Sequence, residues 1–304
     1  MSPAADPVHT LADLENWSFA GTALAVVGHP IAHSLSPAMH NAALADLART
    51  DPRFGDWRYF KFDLAAADLP RALALFHAQR FCGLNLTVPH KVLALDHLVA
   101  RDAVVQAAGA ANTLRRTDAG WEGFNTDGAG FAHGLRDDLG VELRGAAVIL
   151  LGAGGAARGA AVECLRQDCR QLWIGNRSAA HGAALVAGLR RVFPAAALRN
   201  FDLAAPPAGL PADSLVVNAT SLGLQPDDPA PIDLLRLPRP ARIYDMIYHP
   251  PSTPLLRQAA ELNLPHANGL SMLVQQGVRA LGLWTGAAAS VDVMRRAARA
   301  RLSS

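Results

Sequence analysis

The sequence predicts an α/β protein of two domains, each organised around a mostly parallel sheet, and three observations lead there. Short apolar or β-rich runs alternate with Ala- and Leu-rich helical stretches almost throughout. A second series of such units opens at Ala147, after a helical stretch at about Gly128–Leu139 that can serve as a connector. The chain of 304 residues is long enough for two cores, since single domains mostly run about 100–200 residues.

In the first series the runs Leu24–Val27, Arg58–Phe62 and Gly83–Leu86 read as strands, with helices from Pro37 and Ala67 between them. In the second, Ala147–Leu151, Gln171–Ile174, Ser214–Asn218 and Arg242–Met246 read as strands, with helices from Ala156 and Ala179. After Asn268 the chain is Ala-rich and helical with no further strand. It is therefore expected to pack back on the first domain: residues 1–125 with 268–304 form one domain and 126–267 the other. Pro206–Pro211 reads as a surface loop.

Composition excludes several classes of function. A hydrophobic fraction of 51% with 18% charged residues describes a globular chain that can offset its conformational entropy by burial. The net charge of +2 is small and the basic residues are scattered, which argues against nucleic acid as a partner. No apolar run approaches the roughly 20 residues that span a bilayer, and Met1–Asp13 lacks the basic start and apolar stretch of a signal peptide. The expected setting is cytoplasmic, with no membrane partner. Cys82, Cys164 and Cys169 form no CxxC pair, so neither a disulfide framework nor a metal site is expected, and all three are read as reduced.

The strand Ala147–Leu151 runs directly into Gly152-Ala153-Gly154-Gly155-Ala156-Ala157-Arg158 and then into a helical pattern. Gly152 permits a tight turn, Gly154 lets the backbone approach a pyrophosphate, and Ala157 allows close packing of the helix. The helix's free N–H groups then face the phosphates. The next strand ends in Gly175-Asn176-Arg177-Ser178, with a guanidinium where an NAD site would place a carboxylate. That favours NADP, because Arg suits a 2′-phosphate in geometry and charge.

The first domain offers polar lips where strands end. Gly28-His29-Pro30-Ile31-Ala32-His33-Ser34-Leu35-Ser36-Pro37 carries two hydroxyls and a proline suited to a helix's first turn. Ser36 is expected to cap that helix, a role compatible with ligand contact. Gly83-Leu84-Asn85-Leu86-Thr87-Val88-Pro89-His90-Lys91 is a second lip. Asn112-Thr113 and Asn125-Thr126-Asp127-Gly128 supply further candidates.

From about Leu24 to Gly277 the chain resembles the shikimate dehydrogenase family. The resemblance rests on GHPIAHSLSPAMHN, GLNLTVPHK, GAANTL, GFNTDGAG, GAGGAARG, NATSLG, DMIYHP and GLSMLVQQG, in that order and spacing. It implies an N-terminal substrate domain completed by the C-terminal helices, a Rossmann-type NADP-binding domain, and a cleft between them. It implies reversible NADPH-dependent reduction of 3-dehydroshikimate to shikimate, within the shikimate pathway, by a monomer or homodimer. Lys91 and Asp127 would be the catalytic pair, with either as the formal acid or base. Ser34 and Ser36 would bind the substrate carboxylate, and Asn85, Thr87, Asn112 and Gln276 the acid or its hydroxyls. Tyr248 fits the same motif set, as a substrate contact or as a phenol capping a loop. Gly152, Ala153, Gly154, Gly155 and Ala156 would hold the pyrophosphate, Asn176, Arg177 and Ser178 the adenosine end. Met246, Gly269 and Met272 would line the nicotinamide side.

This chain departs from the family pattern at His181 and in the segment Arg49–Trp57, and more mildly at Leu86 and Leu224, where the family often has valine and methionine and apolar character is kept. Many NADP-using members resemble it at Asn176-Arg177 but carry a second Arg where this chain has His181, so some use of NAD is compatible with the sequence. The segment Arg49–Trp57 is longer than the usual link and reads as a surface insertion. Two other functions fit the same residues: a quinate/shikimate dehydrogenase using NAD or NADP, and a noncatalytic nucleotide-responsive regulator. Lys91 and Asp127 argue against the second.

Overall fold

A computed structural model describes residues 6–303; Met1–Ala5 of the N-terminal stretch read above, and Ser304, lie outside the described residues. The chain divides into two compact units, residues 1–126 with 276–304 and residues 127–275.

The first unit contains, in order, β1 (Val8–His9), α1 (Leu11–Glu15), β2 (Ala23–Gly28), α2 (Ser36–Leu47), β3 (Arg58–Asp63), α3 (Leu69–Ala78), β4 (Gly83–Leu86), α4 (His90–Leu93), β5 (Leu98–Arg101), α5 (Ala103–Ala108), β6 (Thr113–Thr117) and β7 (Gly120–Phe124). Its sheet has the order β1-β3-β2-β4-β6-β7-β5. The pairings are parallel except β4 with β6 and β6 with β7. β2 is buried at every position, as expected of a central strand covered on both faces. An aromatic cluster of Trp17, Phe60, Phe62, Phe76 and Phe81 fills the space under β3, with most of the rings edge to face.

The consequence for function lies in strand direction. β2 and β4 run parallel, β6 runs against β4, and β7 against β6. The C-terminal ends of β2, β4 and β7 and the N-terminal end of β6 therefore meet at one edge, and the residues just outside them are Ser34, Thr87, Asn112 and Thr126. Crevices beyond strand C-termini are where open α/β sheets bind ligands.

The second unit contains α6 (Asp127–Leu139), β8 (Ala147–Leu151), α7 (Gly155–Arg166), β9 (Gln171–Asn176), α8 (Ala179–Val192), β10 (Leu198–Asp202), β11 (Leu215–Asn218), β12 (Arg242–Asp245), α9 (Pro254–Glu261) and β13 (His266–Asn268). All its strand pairings are parallel, in the order β10-β9-β8-β11-β12-β13. Numbered within this sheet that order is the 3-2-1-4-5-6 of dinucleotide-binding folds, and the direction of winding reverses between β8 and β11. The turn after β8 stands at that switch point.

Two helices follow, α10 (Leu270–Thr285) and α11 (Val291–Leu302). α10 is shared between the units. Its first turns hydrogen-bond α6 through Ser271 to Asp138 and Gln275 to Asp137. Its later turns bond the first sheet through Gln276, which accepts from Asn112, and through Trp284, which donates to the Leu114 carbonyl.

Several local expectations change. Ser36 does not cap α2: the cap residue is Leu35, no side chain caps it, and Ser36 is the first helical residue, buried. The helix foreseen from Ala67 starts at Leu69, after a 3-10 turn at Ala66–Asp68. Arg49–Trp57 holds a 3-10 turn at Pro52–Phe54, anchored by buried Phe54 stacking edge-on with Trp57, so it is not a wholly superficial loop. Cys164 is buried on α7 and burial pushes its thiol well up, which makes it an unreactive core side chain. Among the described residues no helix is long and apolar enough to cross a membrane, and no cluster of His, Cys, Asp or Glu could hold a metal ion.

Candidate active site

In the first unit the candidate substrate residues form one buried hydrogen-bonded chain. Asn85, Asn112, Thr113, Thr126 and Gln276 are each 8% exposed or less. Asn85 Nδ2 donates to Thr113 Oγ1 (3.0 Å) and to the Asn112 carbonyl (3.2 Å). Thr113 Oγ1 in turn donates to Asn112 Oδ1 (3.1 Å), which also accepts from the Thr126 backbone N–H (2.8 Å). Asn112 Nδ2 donates to Thr126 Oγ1 (2.9 Å) and toward Gln276 Oε1 (3.4 Å). Buried amides and hydroxyls so thoroughly paired are held in single orientations, because each lost partner leaves a desolvated polar group.

The remaining residues are set by the same local logic. Thr87 follows β4, its N–H bonded to the Val27 carbonyl, and is half-buried. Lys91, half-buried in α4, accepts at its carbonyl from the Ala111 N–H, which ties the helix to the Ala110–Asn112 turn. Its neighbour His90 is buried and donates Nε2–H to the Leu64 carbonyl; burial lowers its pKa, so the ring is neutral and serves as a strut. Ser34 Oγ accepts from the Ser36 N–H (3.3 Å) and is half-buried. Lys61, only 4% exposed, donates to the Ala32 carbonyl (2.9 Å) and so holds the loop that carries Ser34. Burial lowers the Lys61 pKa.

In the second unit Gly152 takes φ +114°, and a side chain there would meet the Ala219 carbonyl, so the turn requires glycine. Its N–H donates to the Gly175 carbonyl (2.7 Å). Gly154 is the cap residue of α7, with no side-chain cap, and a Cβ added there would meet nothing within 4 Å. An uncapped helix N-terminus facing open space is what a pyrophosphate needs, and Ala153, Gly155 and Ala156 flank it half-buried. The residues present fit a dinucleotide.

At the end of β9, Asn176 Nδ2 donates to the Ser178 carbonyl and Ser178 caps α8. Arg177 and His181 are both exposed there. Met246 and Tyr248 are half-buried after β12, while Gly269 and Met272 are buried at the start of α10. Asp127 is the first residue of α6 and is buried; a carboxylate in that place is favoured by the helix's N-terminal partial charge.

The turn after β12 is held by Asp245, which sequence reading passed over. Its buried carboxylate accepts from Thr253 Oγ1 (2.6 Å), Asn218 Nδ2 (3.0 Å) and the Ile247 N–H (3.0 Å). Burial pushes its carboxyl up despite these donors. Tyr59 and Lys61 were missed too. Their signal was present: Tyr59 and Lys61 stand at alternate positions of β3, hence on one face, with Phe60 and Phe62 on the other.

Comparison with known proteins gives the same picture. The profile for the shikimate dehydrogenase substrate binding domain matches residues 26–114, and that for the shikimate 5′-dehydrogenase C-terminal domain matches 269–299. A shikimate dehydrogenase (NADP(+)) of Geobacter metallireducens is 38% identical over 90% of this chain and 94% of its own length. The crystal structure of shikimate 5-dehydrogenase from Thermus thermophilus in complex with NADP(H) and shikimate superposes with a TM-score of 0.79 at 35% identity, covering 92% of this chain and 99% of that one. A quinate dehydrogenase from Corynebacterium glutamicum in complex with NAD also shares the fold, with a TM-score of 0.78 at 27% identity, covering 91% of this chain and 98% of that one. With a glycine turn at the switch point of one sheet, a saturated amide and hydroxyl chain at the edge of the other, and this identity along nearly its whole length, the chain belongs to the shikimate dehydrogenase family.

Proposed function

We propose that this chain catalyses the reversible NADP-dependent interconversion of shikimate and 3-dehydroshikimate. The observation that carries the reading is the buried chain Asn85–Thr113–Asn112–Thr126–Gln276, beside Ser34, Ser36 and Thr87. A polyhydroxylated acid needs many directional partners, and a site lined by such groups rejects analogues that leave them unpaired. Asn85 has both amide hydrogens committed, so it faces a substrate hydroxyl as an acceptor. Ser34 and Ser36 offer donors for the carboxylate.

NADP, when bound, supplies the hydride or takes it up. It would be held by Gly152–Ala156 at the pyrophosphate and by Asn176, Arg177 and Ser178 at the adenosine 2′-phosphate; Met246, Gly269 and Met272 would line the nicotinamide side. In oxidation the substrate's carbinol carbon loses hydride and its oxygen loses a proton, so that C–O becomes C=O. Lys91 and Asp127 are the groups that take this proton and return it in reduction. Tyr248 would add a phenol to the substrate contacts. The reading carries with it the shikimate pathway, aromatic amino-acid biosynthesis, a cytoplasmic setting and a monomer or homodimer.

The test is an absorbance assay of the purified protein with shikimate or quinate, each paired with NADP or NAD. Fast oxidation of shikimate with NADP is the expected result. Efficient quinate turnover, or preference for NAD, would overturn the substrate or cofactor reading. The second reading has one observation in its favour: His181 stands exposed in the first turn of α8, four residues after Arg177, where a further cation would strengthen a phosphate clamp. Replacing His181 by Arg is accordingly expected to raise the NADP-over-NAD ratio of kcat/KM by about tenfold, the effect of one added charge-assisted hydrogen bond. An unchanged ratio would show that the 2′-phosphate does not reach this turn.

A further inference from the structure

In the second sheet the strand ends around the switch point lie in one row. Leu151, Asn218, Asp245 and Asn268 are in register across β8, β11, β12 and β13. The next residues continue the step: Ala219 N–H donates to the Leu151 carbonyl (2.8 Å) and Met246 N–H to the Asn218 carbonyl (2.9 Å). Gly152, Ala219, Met246 and Gly269 therefore stand side by side. A Cβ on Gly152 would lie 2.9 Å from the Ala219 carbonyl oxygen, and one on Gly269 2.1 Å from that of Met246. This row is the floor of the crevice in which such sheets bind dinucleotides.

Next to that floor the fully buried carboxylate of Asp245 is held by neutral donors alone: Oδ1 accepts from Asn218 Nδ2 and the Ile247 N–H, and Oδ2 from Thr253 Oγ1. A buried carboxylate without a cation is costly, and it differs from an amide of the same shape in being able only to accept. It thereby fixes which way round the Asn218 amide stands. With Nδ2 committed to Asp245 and to the Leu222 carbonyl (3.2 Å), Asn218 turns Oδ1 to Thr220, whose N–H (2.9 Å) and hydroxyl (2.7 Å) both donate to it. The Thr220 hydroxyl accepts in turn from the Leu222 N–H (3.1 Å). The turn after β11 is thus closed on itself, with the Thr220 methyl beside Gly152. We propose that Asp245 is a positioning residue of the dinucleotide site: by accepting from Asn218, Ile247 and Thr253 at once, it fixes the turns after β11 and β12 that form the floor. The inference rests on the reading that NADP lies over the Gly152 turn.

Asp245→Asn keeps the shape of the side chain and removes its acceptor-only character. In the full-length protein it is expected to raise the NADPH Kd about tenfold, read from nicotinamide fluorescence in the absence of substrate. The NADP KM should rise in parallel, while the shikimate KM at saturating NADP stays within about twofold of wild type. A carboxylate that only supported the fold would instead lower the melting temperature and the active fraction and leave the Kd of the folded protein at its wild-type value. That result overturns the proposal.

Thr253 decides the matter where Asp245→Asn does not accumulate as folded protein. Thr253→Val removes the donor to Oδ2 and should weaken NADPH binding about fivefold, whereas Thr253→Ser keeps the hydroxyl and should bind within about twofold of wild type. Equal affinities in these two variants overturn the proposal. Gly154→Asp separates the inference from the reading beneath it, because it places a negative charge at the helix N-terminus assigned to the pyrophosphate and should weaken NADPH more than about tenfold. If Gly154→Asp leaves the Kd unaltered, the dinucleotide does not lie on this turn and the inference falls with that reading. If Gly154→Asp weakens NADPH while the Asp245 and Thr253 variants do not, the inference alone fails.

Discussion

Replacing Lys91 by Ala is expected to lower kcat for shikimate oxidation by about 10²–10⁴-fold, the range a positioned proton-transfer group contributes. The shikimate KM should change far less, because the residues proposed to hold the carboxylate and hydroxyls remain. Geometry supports the asymmetry. Lys91 is tied through its own carbonyl to the Ala111 N–H, one residue from Asn112, so α4 and the amide chain are held in register by backbone that the substitution leaves intact. Steady-state kinetics together with an unchanged melting temperature would check this. A loss confined to KM would make Lys91 a binding group only. Wild-type protein that binds shikimate and NADP without turnover would favour the noncatalytic regulator.

The second large effect concerns stability against acid. His40 is fully buried, neither ring nitrogen has a hydrogen-bond partner among the described residues, and burial holds its pKa down to about 3 from an ordinary 6.5. The unfolded chain therefore binds a proton at His40 below about pH 6.5 that the folded chain refuses until about pH 3. Stability from this ring is complete above pH 6.5 and falls as the pH drops. By pH 4 the loss is on the order of 3 kcal/mol, taking about 1.4 kcal/mol per unit. Asp245 works in the opposite sense, since burial raises its carboxyl and its folded form gains protons first.

Melting temperatures between pH 7.5 and 4 should show a steep decline in the wild type and a shallower one in His40→Leu, which keeps an apolar group in contact with Tyr59 and Trp284. Equal slopes would mean that the imidazole is solvated or paired in solution. Because the same ring stacks on Tyr59, whose phenol donates to Asn85, protonating it would also disturb the buried amide chain of the first unit.

Much of this protein is written locally. Ala147–Leu151 and Gly83–Leu86 are strands at the bounds their apolar runs indicate, and α8 begins at Ala179, just after the Ser178 cap. The glycine turn at Gly152–Gly154 is equally local, because positive φ and a close backbone approach are properties of single residues in a short segment. The short edge strands β1, β10 and β13 were not foreseen, since two to five residues at a sheet edge carry little periodicity and owe their form to a partner strand.

The amino-acid sequence by itself determined the fold class, the dinucleotide turn and the set of polar residues at the strand ends, because each of these is encoded by side chains adjacent along the chain. Only the tertiary structure decided how those polar residues are satisfied. Ser36 looked like a helix cap beside Pro37, yet it is the buried first residue of α2, and one turn on His40 stacks on the Tyr59 phenol. Asn85 meets that phenol across 26 residues, and Asn112 meets Gln276 across 164. A buried hydroxyl or amide takes whichever partner the packed chain brings within about 3 Å, and sequence distance has no part in that choice.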